Sequence, residues 1–311
     1  MTDRPDGLPE PGLYENIPFA EYLTWEAASN SGLGVLRRSP LHYKYDRENG
    51  EDSDTPAKKQ GRAIHAIVLE PEMYGERYRA AGRCSSVTAK NEPCASQGRY
   101  LLIDGRSACG THVKQFSASS LMTDVEVLTL KDAEEVNGCS NAVWQHPGAA
   151  ELLGSDGPTE VSGVWQDEAT GAWCKMRLDK LSKPHRAVVD YKTTMDASPL
   201  TFERSIWNYG YHRQGAFYLR GTRALEVEIE HYAIVAQEKP PPYAVAVYRL
   251  GAGALSMGDD YIDALLQIYV SCMERDEWAG YSDEVQDIHL PDWAWKAGDD
   301  ELYELDPTRT A

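Results

Sequence analysis

Residues 173–194 alternate apolar and polar side chains in the order WCKMRLDKLSKPHRAVVDYKTT. That period of two predicts two short strands joined by a polar turn over residues 182–186, with Pro184 inside the turn. Along the first strand Cys174, Met176 and Leu178 point one way, and Lys175, Arg177 and Asp179 the other. On the second, Asp190 and Lys192 share a face from which Tyr191 turns away. Antiparallel pairing brings two carboxylates and an ammonium together near one end of this hairpin.

Elsewhere the apolar positions recur at helical spacing. Residues 61–70, GRAIHAIVLE, place Ile64, Ile67, Val68 and Leu69 on a mostly buried helix with His65 among them, near the inner face. Upstream, Ser31 is placed to cap a short helix through Arg37, and Ser39-Pro40 opens the next. Residues 49–59 are polar and read as a loop. Residues 129–153 predict a helix interrupted at Gly138 and a second, short one after Pro147. A strand over 160–166, beginning at Glu160, leads through a turn at 167–171 into the central hairpin. Beyond the hairpin comes a helix over 202–220, on which Gln214 and Tyr218 share a face. Strands over 231–238 and 243–250 and an amphipathic helix over 261–278 follow.

Residues 83–113 break both periods. Cys84, Cys94, Cys109 and His112 offer three thiolates and an imidazole, and Cys109-Gly-Thr-His112 is a tight CxxH turn. Tetrahedral zinc is commonly closed by such a set. The segment between these residues has few large apolar groups, so a metal would replace a core it cannot build for itself. Structural Zn²⁺ is the expectation, free reduced cysteines the alternative. The spacing resembles a small zinc-knuckle pattern, with Asn91-Glu92-Pro93 where that pattern usually has a glycine and a basic residue.

The hairpin's residue types suit a divalent metal and a phosphodiester. Magnesium takes hard oxygen ligands and keeps several waters, so Asp179, Asp190 and the backbone carbonyl of Tyr191 make an open site. Lys192 can orient or deprotonate the attacking water, or hold negative charge in the transition state. His65 is a candidate nitrogen ligand, although a histidine in an apolar helix is more often a satisfied core residue. Glu160 lies near the metal edge or is a strand-end charge. An ordinary solvated hairpin face carries the same charges, so the Asp-x-Lys triplet alone is weak.

Composition narrows the classes. At 311 residues, 42% of them hydrophobic, the chain can bury a sizeable core. Neither a signal-peptide layout nor a bilayer-length apolar run is present, so a cytoplasmic protein with reduced cysteines and no membrane is expected. A net charge of −18 argues against non-specific nucleic-acid binding by the whole molecule. From Lys175 and Arg177 to Arg220 and Arg223, however, basic residues outnumber acidic ones, which suggests a basic channel on an acidic body. No GxxxxGK[ST] loop is present, so ATP-driven translocation is not encoded.

Several stretches then fall into a known order: SNSGLGVLRRSPLHYKY at 29–45, GRAIHAIVLEPE at 61–72, HPGAAELL at 146–153, CKMRLDKL at 174–181, VVDYKTT at 188–194 and QGAFY at 214–218. In this order the chain resembles the RecE-like (exodeoxyribonuclease VIII type) branch of the PD-(D/E)xK nucleases. The resemblance implies an α/β fold, a restriction-endonuclease-like core whose mixed central sheet is flanked by helices, here with a small zinc-binding insertion. It implies that His65, Asp179 and Asp190 bind metal, that Lys192 is the catalytic lysine, and that Gln214 and Tyr218 form the QxxxY motif that shapes the site and contacts DNA. Arg177 and Glu160 are further candidates for DNA contact. The implied activity is Mg²⁺-dependent digestion of linear double-stranded DNA from 5′ ends, with Mn²⁺ as a possible substitute and without ATP. The implied partners are DNA ends, a RecT-like annealing recombinase and further copies of the chain in a ring. The expected divisions are a helical part of the nuclease over 1–81, the insertion over 82–114, the nuclease core and last helix over 115–297, and a disordered tail over 298–311.

Overall fold

A computed structural model describes residues 4–50 and 55–295; the tail expected over 298–311 lies outside the described residues. β1 (Gly12–Tyr14) and α1 (Phe19–Thr24) lead into α2 (Asn30–Leu36), α3 (Pro40–Asn49), α4 (Pro56–Leu69) and α5 (Pro71–Arg77). The cysteine segment runs through β2 (Tyr78–Ala81), β3 (Tyr100–Leu101), β4 (Ser107–Ala108) and β5 (Glu126–Thr129). Next come α6 (Leu130–Gln145), α7 (Pro147–Leu153), β6 (Thr159–Gln166), β7 (Trp173–Ser182) and β8 (Ala187–Thr194). The chain continues through α8 (Pro199–Tyr209), α9 (Tyr211–Ala224), β9 (His231–Glu238), β10 (Val245–Arg249) and α10 (Ala252–Arg275).

A six-stranded sheet in the order β1-β6-β7-β8-β9-β10 forms the centre. Its neighbours are antiparallel except β8 and β9, which run parallel. A parallel pair needs a crossover, and α8 with α9 supplies it. Side chains alternate across β8, so Val188 enters one core while Val189 and Tyr191 enter another. The first core packs Leu33, Phe217, Ile262 and Leu266 against Met176, Leu178 and Ile234. In the second, Ile64, Val68, Val136 and Val143 pack against the other face of β8 and β9. Each large apolar side chain so buried contributes about 1.5–3 kcal/mol, and helices on both faces fix the sheet that carries the site. This is the mixed, helix-flanked sheet the sequence leads one to expect.

Local departures have local causes. Ser29, not Ser31, caps α2, its hydroxyl accepting from the Gly32 amide at 3.2 Å; Ser39 caps α3 as expected. α4 starts at Pro56 under a Thr55 cap, several residues before the apolar period begins. α6 runs unbroken through Gly138, where the Tyr243 ring packs so closely that a Cβ would collide with it. The single helix expected over 202–220 is two, parted at Gly210, whose φ of 72° is left-handed and ends α8. Residues up to Trp278 make one compact unit, and those from Ala279 make a second. Among the described residues no helix is long and apolar enough to cross a membrane.

Candidate active site

The site forms where two sheet neighbours part. The ladder between β7 and β8 covers only Lys180–Ser182 against Ala187–Val189. Past it, Asp179 replaces the missing ladder bond, its Oδ2 accepting from the Tyr191 amide at 2.8 Å. Alternation slips at the same place, since Leu178 and Leu181, three apart, both enter the first core. The strands splay, and the gap between them is lined by carboxylates.

His65 reaches this gap from α4, its Nδ1 4.0 Å from Asp179 Oδ2 and its ring centroid 5.0 Å from that of Tyr191. The third member is Glu160 at the start of β6. His65, Glu160 and Asp179 each offer a ligand atom within 4.8 Å of the others. Glu160 holds a φ of 50°, a left-handed backbone that a non-glycine residue adopts at a cost of about 1–3 kcal/mol. Burial pushes the Asp179 carboxyl up to about 7, with the neighbouring Asp190 adding to it while Lys192 and the Tyr191 amide oppose. Burial raises Glu160 as well, with Asp179 second, against the pull of Arg177. Burial, and then Lys192, lower His65, which leaves its ring neutral and able to coordinate. Crowded carboxylates short of cationic charge beside a neutral imidazole suit a hard divalent ion.

Asp190 stands beside this trio rather than within it. It is 1% exposed, accepts from Gln214 Nε2 at Oδ1 (3.0 Å), and pairs through Oδ2 with Lys192 Nζ at 2.6 Å. Burial works against the Lys192 ammonium, but Asp190 and Asp179 outweigh it and hold the group above its ordinary range. Its Nζ lies over the Tyr211 ring at 5.2 Å. Gln214 and Tyr218 do share a face, as expected, and Gln214 Nε2 also donates to the Tyr218 hydroxyl at 3.1 Å. Both are turned to holding Asp190, and Tyr218 is 9% exposed. Arg177 is likewise engaged internally, by Glu160 (2.7 Å), the Ile17 carbonyl (2.9 Å) and Ser162 (3.1 Å).

Comparison with known proteins sets these residues in a family. The profile of a "PDDEXK-like domain of unknown function (DUF3799)" matches residues 29–291. The chain belongs to this PDDEXK-like family. Among solved structures, one from Eubacterium rectale named "Putative exonuclease" is 15% identical, covering 88% of this chain and 94% of its own, with a TM-score of 0.51. That likeness shows the fold. A second, SSO0001, is 16% identical over 43% of this chain and 68% of its own, and its TM-score of 0.25 carries no argument. No curated protein matches. A PDDEXK-like chain of this fold is a metal-dependent nuclease by class, and its strand-borne acids and lysine stand where the geometry gathers them.

The cysteine segment lies within the residues that the family profile matches. Cys84, Cys94, Cys109 and His112 place their ligand atoms within 4.8 Å of one another, as the sequence pattern predicts. His112 Nδ1 is 3.3 Å from Cys84 Sγ and 3.5 Å from Cys109 Sγ. All six cysteines are free thiols. Burial opposes ionisation of Cys84, yet hydrogen bonds from the backbone of Ser86 and Cys109 and from neighbouring thiols bring it below the ordinary range. Cys109 is lowered chiefly by the backbone of His112. Depressed thiols are the protonation behaviour a metal-ligating set needs. Cys139 is apart from them in α6, its thiol pushed up to about 11 by burial.

For Glu160 the sequence left a place at the metal edge, a strand-end charge and a DNA contact open; the structure sets it beside His65 and Asp179. A signal was present: counting outward from the turn, Gln166 pairs with Trp173 and Val161 with Leu178, which sets Glu160 opposite Asp179. Part of the expected basic run turns inward. Lys175 and Lys180 are buried, donating to backbone carbonyls of Tyr22, Leu23 and Trp25 and of Ser155 and Gly157. Arg220 pairs with Asp167, Asp259 and Asp263.

Proposed function

We propose that this chain is a Mg²⁺-dependent exonuclease, with Mn²⁺ able to substitute, that degrades linear double-stranded DNA from its 5′ ends. The observation that carries the reading is the convergence of His65, Glu160 and Asp179 beside the Asp190–Lys192 pair. His65, Glu160 and Asp179 would hold the ion, with Asp190 and the Tyr191 carbonyl bordering it. A divalent ion there supplies a Lewis acid that polarises the phosphoryl group and acidifies water. Lys192, kept as an ammonium by two carboxylates, holds negative charge that develops on the phosphate rather than removing a proton. Gln214 fixes Asp190, and Asp190 fixes Lys192, so the ammonium is oriented before substrate arrives. Tyr218 steadies Gln214 in turn.

Polarity and context rest on the ordered RecE-like motifs. They support 3′ single strands as product, a phage-type recombination setting with a RecT-like annealing partner, a homo-oligomeric ring, and a cytoplasmic site of action. The cysteine cluster, in the same reading, holds a structural Zn²⁺. Incubating linear and covalently closed duplexes, labelled at 5′ or 3′ ends, with Mg²⁺ tests the activity. The reading predicts early release of 5′ label from the linear form only. Intact linear DNA would end it, and nicking of the circle would turn it to an endonuclease on the same fold.

A further inference from the structure

A chain of net charge −18 must still hold a polyanion at its cleavage centre. Part of the basic run beyond residue 175 is engaged elsewhere: Lys175 and Lys180 are buried, Arg177 is tied to Glu160, and Arg186 pairs with Glu228 and Glu230, while Arg204 and Arg223 remain exposed. The cysteine-held insertion is different. Residues 82–114 carry Arg83, Lys90, Arg99, Arg106 and Lys114 against only Glu92 and Asp104, in a chain that is elsewhere strongly acidic. All five cations are exposed. Among the described residues only Arg106 has a carboxylate partner, Asp104 at 2.8 Å. Asp124 and Glu126 follow at the foot of the insertion, and Glu126 is already paired with Arg62. A zinc ion with three thiolates would add one net negative charge, buried and far outweighed.

The insertion is also placed and stiffened for this role. It follows α5, which ends at Arg77, and the short strand β2, a short step along the chain from the helix that carries His65. Arg77 grips Glu70 at 2.7 Å and is near enough to Glu160 to feel its charge. Backbone hydrogen bonds tie Cys84 to Ser96, Cys94 to Ser86 and Ser85 to Ser107, so the cations stand on a fixed frame rather than a loose loop. Tyr100 and Ile103, 40% and 69% exposed, lie between them in sequence.

We propose that this insertion grips the phosphate backbone of the DNA duplex beside the cleavage centre, through sequence-independent contacts from its unpaired arginines and lysines. The proposal rests on the nucleic-acid reading above. It assigns to the insertion a share of the binding that the inward-turned Lys175, Arg177 and Lys180 do not provide.

The test compares the full-length wild-type chain with a triple variant, Arg83→Gln, Lys90→Gln and Arg99→Gln, by fluorescence anisotropy on a labelled linear duplex in Ca²⁺ over a salt series. Each lost phosphate contact should make the plot of log affinity against log salt shallower by about 0.9, so the variant should lose between two and three in slope. Arg83→Lys with Arg99→Lys should keep the wild-type slope. Hydrolysis of the small diester bis-p-nitrophenyl phosphate in Mg²⁺ should be unchanged, because these residues lie outside the centre, and zinc content should show the insertion still held. A variant slope equal to wild type, while the wild type digests DNA, overturns this proposal and leaves the nuclease reading standing. A wild type that neither binds nor digests the duplex removes both.

Discussion

The His65–Glu160–Asp179 centre and the Cys84–Cys94–Cys109–His112 cluster each gather ligand atoms within 4.8 Å, yet they are built from opposite materials. The first uses two hard carboxylates on strands and one imidazole on α4, all held in place by two hydrophobic cores. Its carboxylates repel one another and carry raised pKa values, and one sits on a left-handed backbone. The second uses soft thiols in a segment whose own core is little more than the cysteines themselves, Cys84, Cys94 and Cys109 packed together. There the thiols are lowered, and strands β3 and β4 are two residues each. The difference separates two proposed roles. An ion at the strand site would relieve the crowding of a fold that already exists and do chemistry, whereas one at the cysteine site would hold its own segment together.

Breaking each side should therefore give opposite losses. Asp179→Asn should cut DNA hydrolysis by about 10³-fold or more, several kcal/mol of barrier, with no loss of thermal stability. A stable protein retaining near-normal activity would remove Asp179 from the centre. Lys192→Ala should lower kcat by about 10²–10³-fold with KM little changed, since its ammonium acts on charge that develops late. Cys109→Ser should leave the melting of the six-stranded sheet and its two cores nearly untouched while opening residues 82–114 to limited proteolysis, with zinc lost in step. If the whole chain unfolds together, the two regions are not separable in the way described here.

Smaller effects sharpen the contrast. Metal-free, Asp179 retains its proton up to about pH 7, whereas the unfolded chain releases it near the ordinary carboxylate value. Its contribution to stability is thus full below about pH 4 and is lost as the pH rises through about 7. Melting temperature should fall by a few degrees over that window, Asp179→Asn should flatten the fall, and Mg²⁺ should reverse it. A flat wild-type profile would contradict the strain assigned to the site. Smallest of all, Tyr218→Phe removes one hydrogen bond to Gln214 and should lower kcat only a few-fold, with about 1 kcal/mol at stake; Gln214→Ala should cost more, because it frees Asp190 itself.

The hairpin, its turn and the apolar helix bearing His65 were legible because a period of two or of 3.6 marks which face is buried. Asp179, Asp190 and Lys192 followed from the hairpin, and the cysteine set from its spacing. Glu160 was harder. Its role depends on a register counted across a turn and on a positive φ that no residue type announces. Gly138 and Gly210 show the same limit from two sides: one glycine lies inside a helix with a tyrosine from elsewhere packed on it, the other ends one. Only the tertiary neighbours distinguish them. The basic run misled because a lysine's charge is visible in the sequence, but its engagement by the carbonyls around Lys175 is not.

Anomalous-scattering maps from one crystal soaked in Mn²⁺, recorded at the manganese and zinc edges, address the two-centre account directly. The account predicts a manganese peak within ligand distance of His65, Glu160 and Asp179, and a separate zinc peak among Cys84, Cys94, Cys109 and His112. Manganese bound elsewhere, or no zinc in the native protein, would contradict it.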